Sequence, residues 1–329
     1  MADDTPTREA EDQTPPTTQA GFVAIVGRPN VGKSTLLNAL IGTKIAIVSP
    51  RPQTTRNRIL GVRTTGAVQA VYLDTPGIHR DRKNLNRFMV QEALASVDGV
   101  DCVLLVTEVD PRLLERAADG HPPGLHPDDA YVLQQVRSHL RAPKAAEQAL
   151  VIVVNKVDLV RDRGRILPLL ASWSDAGFDR IVPISAKNGV GVDRLVTEIH
   201  AALPTGPHLY PTETLTDRAE RFIAEELIRE QVFARCRQEL PYAAAVVVER
   251  FTERAEAGDV VIEAVIHVER DGQKAILIGK RGSMIKAIGT AAREEIGRLL
   301  GCTVHLTLSV HVQEDWTRSP AARRRFGYE

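Results

Sequence analysis

A chain of 329 residues is long enough for two domains, each with its own buried core. Lys and Arg balance Asp and Glu at 42 each, which excludes a global field drawing the molecule to a polyanion, so any nucleic-acid surface has to be local. Cys102, Cys236 and Cys302 are too few and too scattered for a disulfide framework or a metal site. With no apolar leader and no run near the roughly 18 apolar residues of a spanning helix, a soluble intracellular protein with reduced, buried thiols is expected.

Residues 1–20 are rich in Thr, Pro, Asp and Glu and poor in large apolar groups. Such a segment cannot bury enough surface to offset its ordering entropy, and a disordered tail is predicted. From Phe22 the patterns alternate. Strands are predicted at Phe22–Val26, Arg58–Thr64, Val68–Asp74, Asp101–Thr107, Leu150–Val154 and Arg180–Pro183. Helices are predicted at Lys33–Ile41, Leu85–Ser96, Asp129–Leu140, Arg165–Ala176 and Val192–Ala202. Continuous apolar runs such as 102–106 and 150–154 suit strands covered on both faces, so residues 21–203 read as a doubly wound α/β domain. Glu108–Asp128, with its Pro and Gly content, reads as a surface loop, and its two histidines and acids are not taken as a metal site. Three prolines and a glycine within 203–211 mark an extended linker, assigned to 204–212. Beyond it, over 213–329, the order changes to an α+β arrangement. A helix is predicted at Asp217–Glu239, strands at Ala243–Arg250 and Val260–Glu269, helices at Gln273–Ile278 and Met284–Leu300, and a strand at Val304–Val312.

The chemistry is concentrated at the predicted strand ends. The first strand runs into Gly27-Arg28-Pro29-Asn30-Val31-Gly32-Lys33-Ser34, a Gly-x4-Gly-Lys-Ser phosphate loop continued by Thr35 at a helix start. Its backbone N–H groups can cradle phosphate oxygens, Lys33 can reach the β- and γ-phosphates, and Ser34 can ligate Mg²⁺. Asp74-Thr75-Pro76-Gly77 ends the third strand, where Asp74 can hold Mg²⁺ through water and the Gly77 N–H can meet a γ-phosphate. Asn155-Lys156-Val157-Asp158 ends the fifth. The Asp158 carboxylate can accept from guanine N1–H and the 2-amino group, a donor pair adenine lacks. Asn155 can bridge guanine N7 and the phosphate loop, the Lys156 stem can cover the ring, and the Ala186 N–H of Ser185-Ala186-Lys187 can meet O6. In this order the motifs point to GTP rather than ATP. The stretch 52–58 is a candidate switch loop closing over the γ-phosphate, with Thr55 the favoured metal and phosphate hydroxyl and Thr54 the second choice.

The five motifs in sequence, with Asn30 in the phosphate loop and Gln53-Thr54-Thr55-Arg56 between the first and third, resemble the Era family of Ras-like, translation-factor-class GTPases. Ile78 stands where many GTPases carry a water-orienting Gln, and it can neither donate nor accept; packing is its expected role and slow intrinsic hydrolysis the consequence. The resemblance implies that this apolar residue is normal for the family and that Asn30 helps hold a K⁺ beside the phosphates. His79, without an identifiable partner, is not assigned to catalysis.

The second domain contains Ile276-Leu277-Ile278-Gly279-Lys280-Arg281-Gly282-Ser283-Met284-Ile285. Gly-x-x-Gly alone arises by chance about once or twice in a chain this long, so its weight comes from its place between two predicted helices. There it can approach an RNA backbone, with Lys280, Arg281 and Lys286 facing phosphates and Ile276 and Ile285 facing bases in the groove beside Gly279 and Gly282. The arrangement resembles a type II KH domain, as Era-family proteins carry. From Lys274 onward ten basic residues face five acids, a one-sided basic surface. Arg323, Arg324 and Arg325 read equally as solvated tail or RNA contact, and Trp316 as a packing cap. The resemblance implies 16S rRNA near its 3′ end as ligand, the 30S subunit as setting, a role in its assembly, and weak peripheral contact with the inner membrane face. Two other readings stand beside it: a GTP-dependent signalling switch whose second domain binds protein, and an RNA-binding module with a vestigial nucleotide fold.

Overall fold

The computed structural model describes residues 18–49, 51, 54–56, 58–79, 84–140 and 148–327. The tail expectation for 1–17, and Pro52, Gln53 and Asn57 of the switch loop, lie outside the described residues. The first sheet holds β1 (Gln19–Val26), β2 (Ile59–Thr65), β3 (Val68–Asp74), β4 (Cys102–Glu108), β5 (Ala149–Asn155) and β6 (Ile181–Pro183) in the order β2-β3-β1-β4-β5-β6. All pairs are parallel except β2 against β3. Its helices are α1 (Lys33–Ile41), α2 (Asn84–Ala95), α3 (Pro111–Ala118), α4 (Pro127–His139), α5 (Leu167–Asp175) and α6 (Val192–His200).

The apolar runs split by parity between two cores. Ala24, Val26, Val103, Leu105, Ile152 and Val154 pack under α2 to α5 with Leu94, Val132 and Trp173. Their neighbours Val23, Ile25, Leu104, Val106, Val151 and Val153 face α1 and α6, meeting Leu36, Leu40, Leu195 and Ile199. Both faces of these central strands therefore meet apolar partners, which is why the runs do not alternate with polar residues. The chain leaves β1 toward β3 on one side and later moves to β4, β5 and β6 on the other. The strand order reverses at β1, and a doubly wound sheet opens its ligand crevice there.

Two expectations for this half need correction. The tail assigned to 1–20 gives way to strand at Gln19, which pairs with Val68, and Thr18 already bonds Gly206. The segment read as a surface loop over Glu108–Asp128 contains α3. Asp110 caps it by accepting from Arg112 N, and Pro111 occupies the first turn, where no backbone donor is needed. Leu114 is buried and Leu113 packs against the same core, so the segment is partly structural. Proline here starts a helix instead of excluding one.

The stretch expected to be a linker carries bends and a turn, and it is tied down. Gln69, fully buried on β3, donates to Tyr210 O (2.8 Å) and accepts from the N–H groups of Leu209 (2.7 Å) and Tyr210 (2.9 Å). Further on, Val62 N donates to Leu215 O (2.8 Å), Thr216 Oγ1 to Leu60 O (2.6 Å) and Arg218 Nη2 to Arg58 O (2.8 Å), all against β2.

The second sheet is β7 (Ala245–Arg254), β8 (Asp259–Val268) and β9 (Thr303–Val312), in that order, antiparallel then parallel. It is covered by α7 (Glu220–Arg235), α8 (Leu240–Ala243), α9 (Asp271–Ile278) and α10 (Ser283–Leu300), with α11 (Pro320–Arg325) after the last strand. The single helix predicted over Asp217–Glu239 is shorter: Cys236 turns extended and Gln238 left-handed, and Pro241 sits in the first turn of the separate α8. Arg323, Arg324 and Arg325 lie on α11, capped by Ser319, so they are part of a folded element and not a solvated tail. Trp316 is fully buried, donates from Nε1 to Ala243 O (2.8 Å) and meets Phe326 edge-on at 5.3 Å. Replacing a buried Trp by Ala typically costs about 3–5 kcal/mol. Trp316→Ala is expected to lower stability by about that amount in a denaturant titration followed by circular dichroism; a loss under about 1 kcal/mol would show that the indole only caps the surface.

Candidate functional site

The segments that follow the C-termini of β1, β3, β5 and β6 open onto one cleft of about 530 Å³, lined by Asn30, Lys33, Ser34, Thr55, Gly77 and Asp158 among others. That volume suits a nucleotide-sized ligand. Gly32 has φ +95°, and a Cβ there would lie 2.4 Å from Asn155 Nδ2, so only glycine lets Asn155 close on the loop. Asn30 also takes a left-handed backbone, with φ +66°, which asparagine tolerates better than most side chains.

The phosphate end is built from buried charges and hydroxyls. Lys33 Nζ donates to the carbonyls of Gly27 (3.2 Å) and Arg28 (3.0 Å), which bends it back over the loop. Burial pulls its pKa down to about 8 against the opposing pull of Asp74. Asp74 is fully buried, and desolvation raises its carboxyl to about 6 in spite of Lys33 and the hydroxyls around it. Ser34 Oγ donates to Asp74 Oδ2 (2.7 Å), and Thr55 Oγ1 lies 2.8 Å from Ser34 Oγ and 3.3 Å from Asp74 Oδ2. Asp74 Oδ1 is buried and has no hydrogen-bond partner among the described residues. An all-oxygen donor set with an orphaned carboxylate oxygen fits a hard divalent cation such as Mg²⁺.

Of the two candidate threonines, Thr55 joins this cluster, whereas Thr54 Oγ1 turns back to Arg51 O (2.9 Å). Ile78 is fully buried in the core under α2 to α5, and its N–H donates to Gly27 O (3.1 Å), so packing is its role. His79 Nδ1 meets Gly77 O at 2.8 Å. A Cβ on Gly77 would come within 2.8 Å of Pro29, so the residue has to be glycine for the third motif to lie against the phosphate loop.

At the base end, Asn155 Nδ2 donates to Val31 O (2.8 Å), tying β5 to the phosphate loop as expected. Its Oδ1 accepts from Lys156 N (2.8 Å) and Ala186 N (3.0 Å). The Ala186 N–H, expected to meet guanine O6, is thus engaged by Asn155, because both strand ends converge on that amide. Ser185 Oγ donates to Asp158 Oδ1 (2.6 Å) and so aims the carboxylate. Lys156 Nζ donates to Asn30 O (2.7 Å) and pairs with Glu108. Glu108 also meets Arg28 Nη1 (2.9 Å), and Arg28 Nε donates to buried Asp129 (3.0 Å). Lys187 lines the same end of the cleft. The sequence reading missed Glu108 and Asp129; their position flanking an apparent loop gave no periodic signal.

The other candidate surface lies on the second domain. Gly279 and Gly282 are both left-handed at φ +72° and +77°, and a Cβ on Gly279 would sit 2.8 Å from Met284 N. Together they turn α9 sharply into α10 and leave Lys280, Arg281 and Lys286 exposed. Ile276 is 56% exposed, unusual for isoleucine, whereas Ile285 packs partly into the domain core. The expected pair of apolar walls is therefore unequal.

Comparisons with known proteins agree with this geometry. A family described as a 50S ribosome-binding GTPase matches residues 22–156, and the KH domain family matches 239–317. GTPase Era of a Geobacter species is 46% identical over 314 residues, spanning 94% of this chain and 98% of that protein. GTPase Era of Lacticaseibacillus paracasei is 44% identical over 310 residues, spanning 94% and 96%. Among solved structures, Aquifex aeolicus Era bound to GDP·AlF4⁻ superposes with a TM-score of 0.83 at 38% identity, covering 94% of this chain and 99% of that one. An Era complex with MgGDPNP and nucleotides 1506–1542 of 16S ribosomal RNA matches equally well, again with a TM-score of 0.83 at 38% identity and the same coverage. With identity and fold shared along nearly the whole chain, from the phosphate loop to the glycine-hinged helix pair, this protein belongs to the Era family of GTPases.

Proposed function

We propose that this protein hydrolyses GTP and binds 16S rRNA near its 3′ end through its second domain, acting in assembly of the 30S subunit under nucleotide control. The observation that carries the RNA half is the exposed Gly279–Gly282 turn with Lys280, Arg281 and Ile276, matched over nearly the full chain to a protein solved on a 16S rRNA segment. At the nucleotide, Gly27, Asn30, Val31, Gly32, Lys33, Ser34 and Thr35 cradle the phosphates, and Asn155, Lys156, Asp158, Ser185, Ala186 and Lys187 surround guanine. Asp158 accepts the two guanine donors while Ser185 fixes its rotamer.

Ser34, Thr55 and Asp74 would hold Mg²⁺, which supplies charge compensation for the β- and γ-phosphate oxygens. Lys33 neutralises the same oxygens from the loop side, and the Gly77 N–H and Thr55 orient the γ-phosphate and the attacking water. Ile78 offers that water nothing, so intrinsic turnover is slow. A K⁺ beside Asn30 or a bound partner would supply the missing positive charge; the family resemblance supports this, as it supports a cytoplasmic setting with peripheral membrane contact. No helix among the described residues is long and apolar enough to cross a membrane.

Binding of the 3′-terminal 16S segment and of a scrambled strand tests the RNA half, with a non-hydrolysable GTP analogue and with GDP. The expected result is specific binding, tighter with the analogue and weakened at least about tenfold by Lys280→Glu with Arg281→Glu. Equal binding of both strands in both states would leave a GTPase whose second domain recognises protein.

Base selection has its own test. Asp158→Asn should lose about 10³-fold or more in GTP affinity and recover binding to xanthosine triphosphate, whose C2 carbonyl accepts from the new amide; equal loss of both nucleotides would remove Asp158 from the base site.

The metal site predicts a pH dependence. Burial raises the Asp74 carboxyl to about 6, so the ionised form that binds metal is lost as pH falls through that value. The Mg²⁺ concentration for half-maximal hydrolysis should rise below pH 6, approaching about tenfold per pH unit; a requirement flat from pH 7.5 to roughly 5 would assign the metal elsewhere.

A further inference from the structure

The loop that carries Thr55 runs from the end of α1 to the start of β2, and described residues along it rest on the second domain. At its start, Lys44 Nζ is 2.6 Å from Glu230 Oε2 on α7 and 2.7 Å from Glu295 Oε2 on α10. Val48 N donates to Glu230 Oε1 (3.0 Å), and Ile47, 1% exposed, packs in the second domain's core and not in its own. At its end, Arg229 Nη2 donates to the Thr54 carbonyl. Arg56, only 3% exposed, donates from Nη1 to Ala244 O (3.0 Å) and from Nη2 to Tyr242 O (2.8 Å) and Pro241 O (3.2 Å). Its guanidinium carbon lies 5.8 Å from the centre of the Trp316 ring.

Consecutive residues of α7, Arg229 and Glu230, therefore grip opposite ends of one loop. Thr55 lies between two residues whose backbone or side chain is anchored in the second domain. A loop of this length would lose much conformational freedom on placing a hydroxyl beside Ser34 and Asp74, and two fixed ends reduce that cost. Three of the acceptors that hold Arg56 are backbone carbonyls of the Pro241–Ala244 turn, so these bonds form only when that turn is seated against the loop.

We propose that α7 and the Pro241–Ala244 turn form an in-cis scaffold for GTP hydrolysis, with Arg56, Arg229 and Glu230 as positioning residues for Thr55. This rests on the reading of Thr55 as the hydroxyl that faces metal and γ-phosphate. The second domain is then part of the hydrolytic machinery even with no RNA bound. None of these three side chains needs to touch nucleotide.

The test uses the full-length protein without RNA and compares Arg56→Met, Arg56→Lys, Glu230→Gln and, as reference, Thr55→Ala. The readouts are single-turnover hydrolysis at saturating GTP, GTP concentration dependence, GDP affinity and thermal melting. The expected result for Arg56→Met is a maximal rate about tenfold lower, approaching that of Thr55→Ala, with GDP affinity within about twofold of the parent. Arg56→Lys should restore part of the rate, because an ammonium reaches some of the same carbonyls. Glu230→Gln, which loosens the other end and leaves the Arg56 bonds intact, should also lower the rate with GDP affinity kept, and it decides the matter if Arg56→Met does not fold. Parent-like maximal rates in Arg56→Met or Glu230→Gln, beside a slow Thr55→Ala, would overturn the scaffold and leave the Thr55 reading intact. A parent-like Thr55→Ala would instead remove that reading, and the scaffold with it.

Discussion

Opposite charges held out of water, Asp74 at the end of β3 and Lys33 at the start of α1, set the terms for this site. Asp74 has no exposure and Lys33 has 7%, and each is displaced toward its neutral form by burial. Among the described residues neither charge is fully compensated: one carboxylate oxygen has no hydrogen-bond partner, and the ammonium donates to two carbonyls. A polyanion accompanied by a divalent cation resolves both deficits together. The parallel register aligning Ile25 with Asp74 brings the phosphate loop and that carboxylate to the same level.

The sheet transmits that alignment sideways. Glu108 and Asn155 end β4 and β5 in register, and both reach back to the phosphate loop, one through Arg28 and the other through Val31. Lys156 joins them by pairing with Glu108 and bonding Asn30. The base end and the phosphate end are therefore one hydrogen-bonded body. Buried Asp129 on α4, whose carboxyl burial raises, extends it into the helical layer behind. Loosening one end carries a cost at the other, which suits a protein that binds a whole nucleotide and not a bare phosphate.

Much of this was legible in the sequence because the motifs are local. Gly27 to Ser34 is one turn between a strand and a helix, and the carboxylates and amides that follow sit at the ends of apolar runs whose length and composition announce buried strands. The helix at 111–118 is hidden by the Pro and Gly content of its segment, although a proline in a first turn has no hydrogen bond to lose. The reach of Arg56 to carbonyls 185–188 positions away leaves no periodic trace, and neither does the capture of Ile47 by a foreign core. Glu226, Arg229 and Glu230 look in sequence like the solvated side of an amphipathic helix, yet all three are buried. Pairwise tertiary contacts between distant segments are what a single chain's pattern withholds, and the junction between the two domains consists of little else.

The segment joining the domains behaves differently from a tether. Leu209 and Tyr210 are fixed by Gln69, and Leu215, Thr216 and Arg218 are fixed along β2, so the last anchored point lies almost at the start of α7. A flexible tether would let its cargo explore a sphere, with a modest effective concentration at any one docking site. Here the 16-residue α7 starts within two residues of the Arg218 anchor, so the free chain between the domains is almost nil and the effective concentration of the second domain at the face it docks on is high.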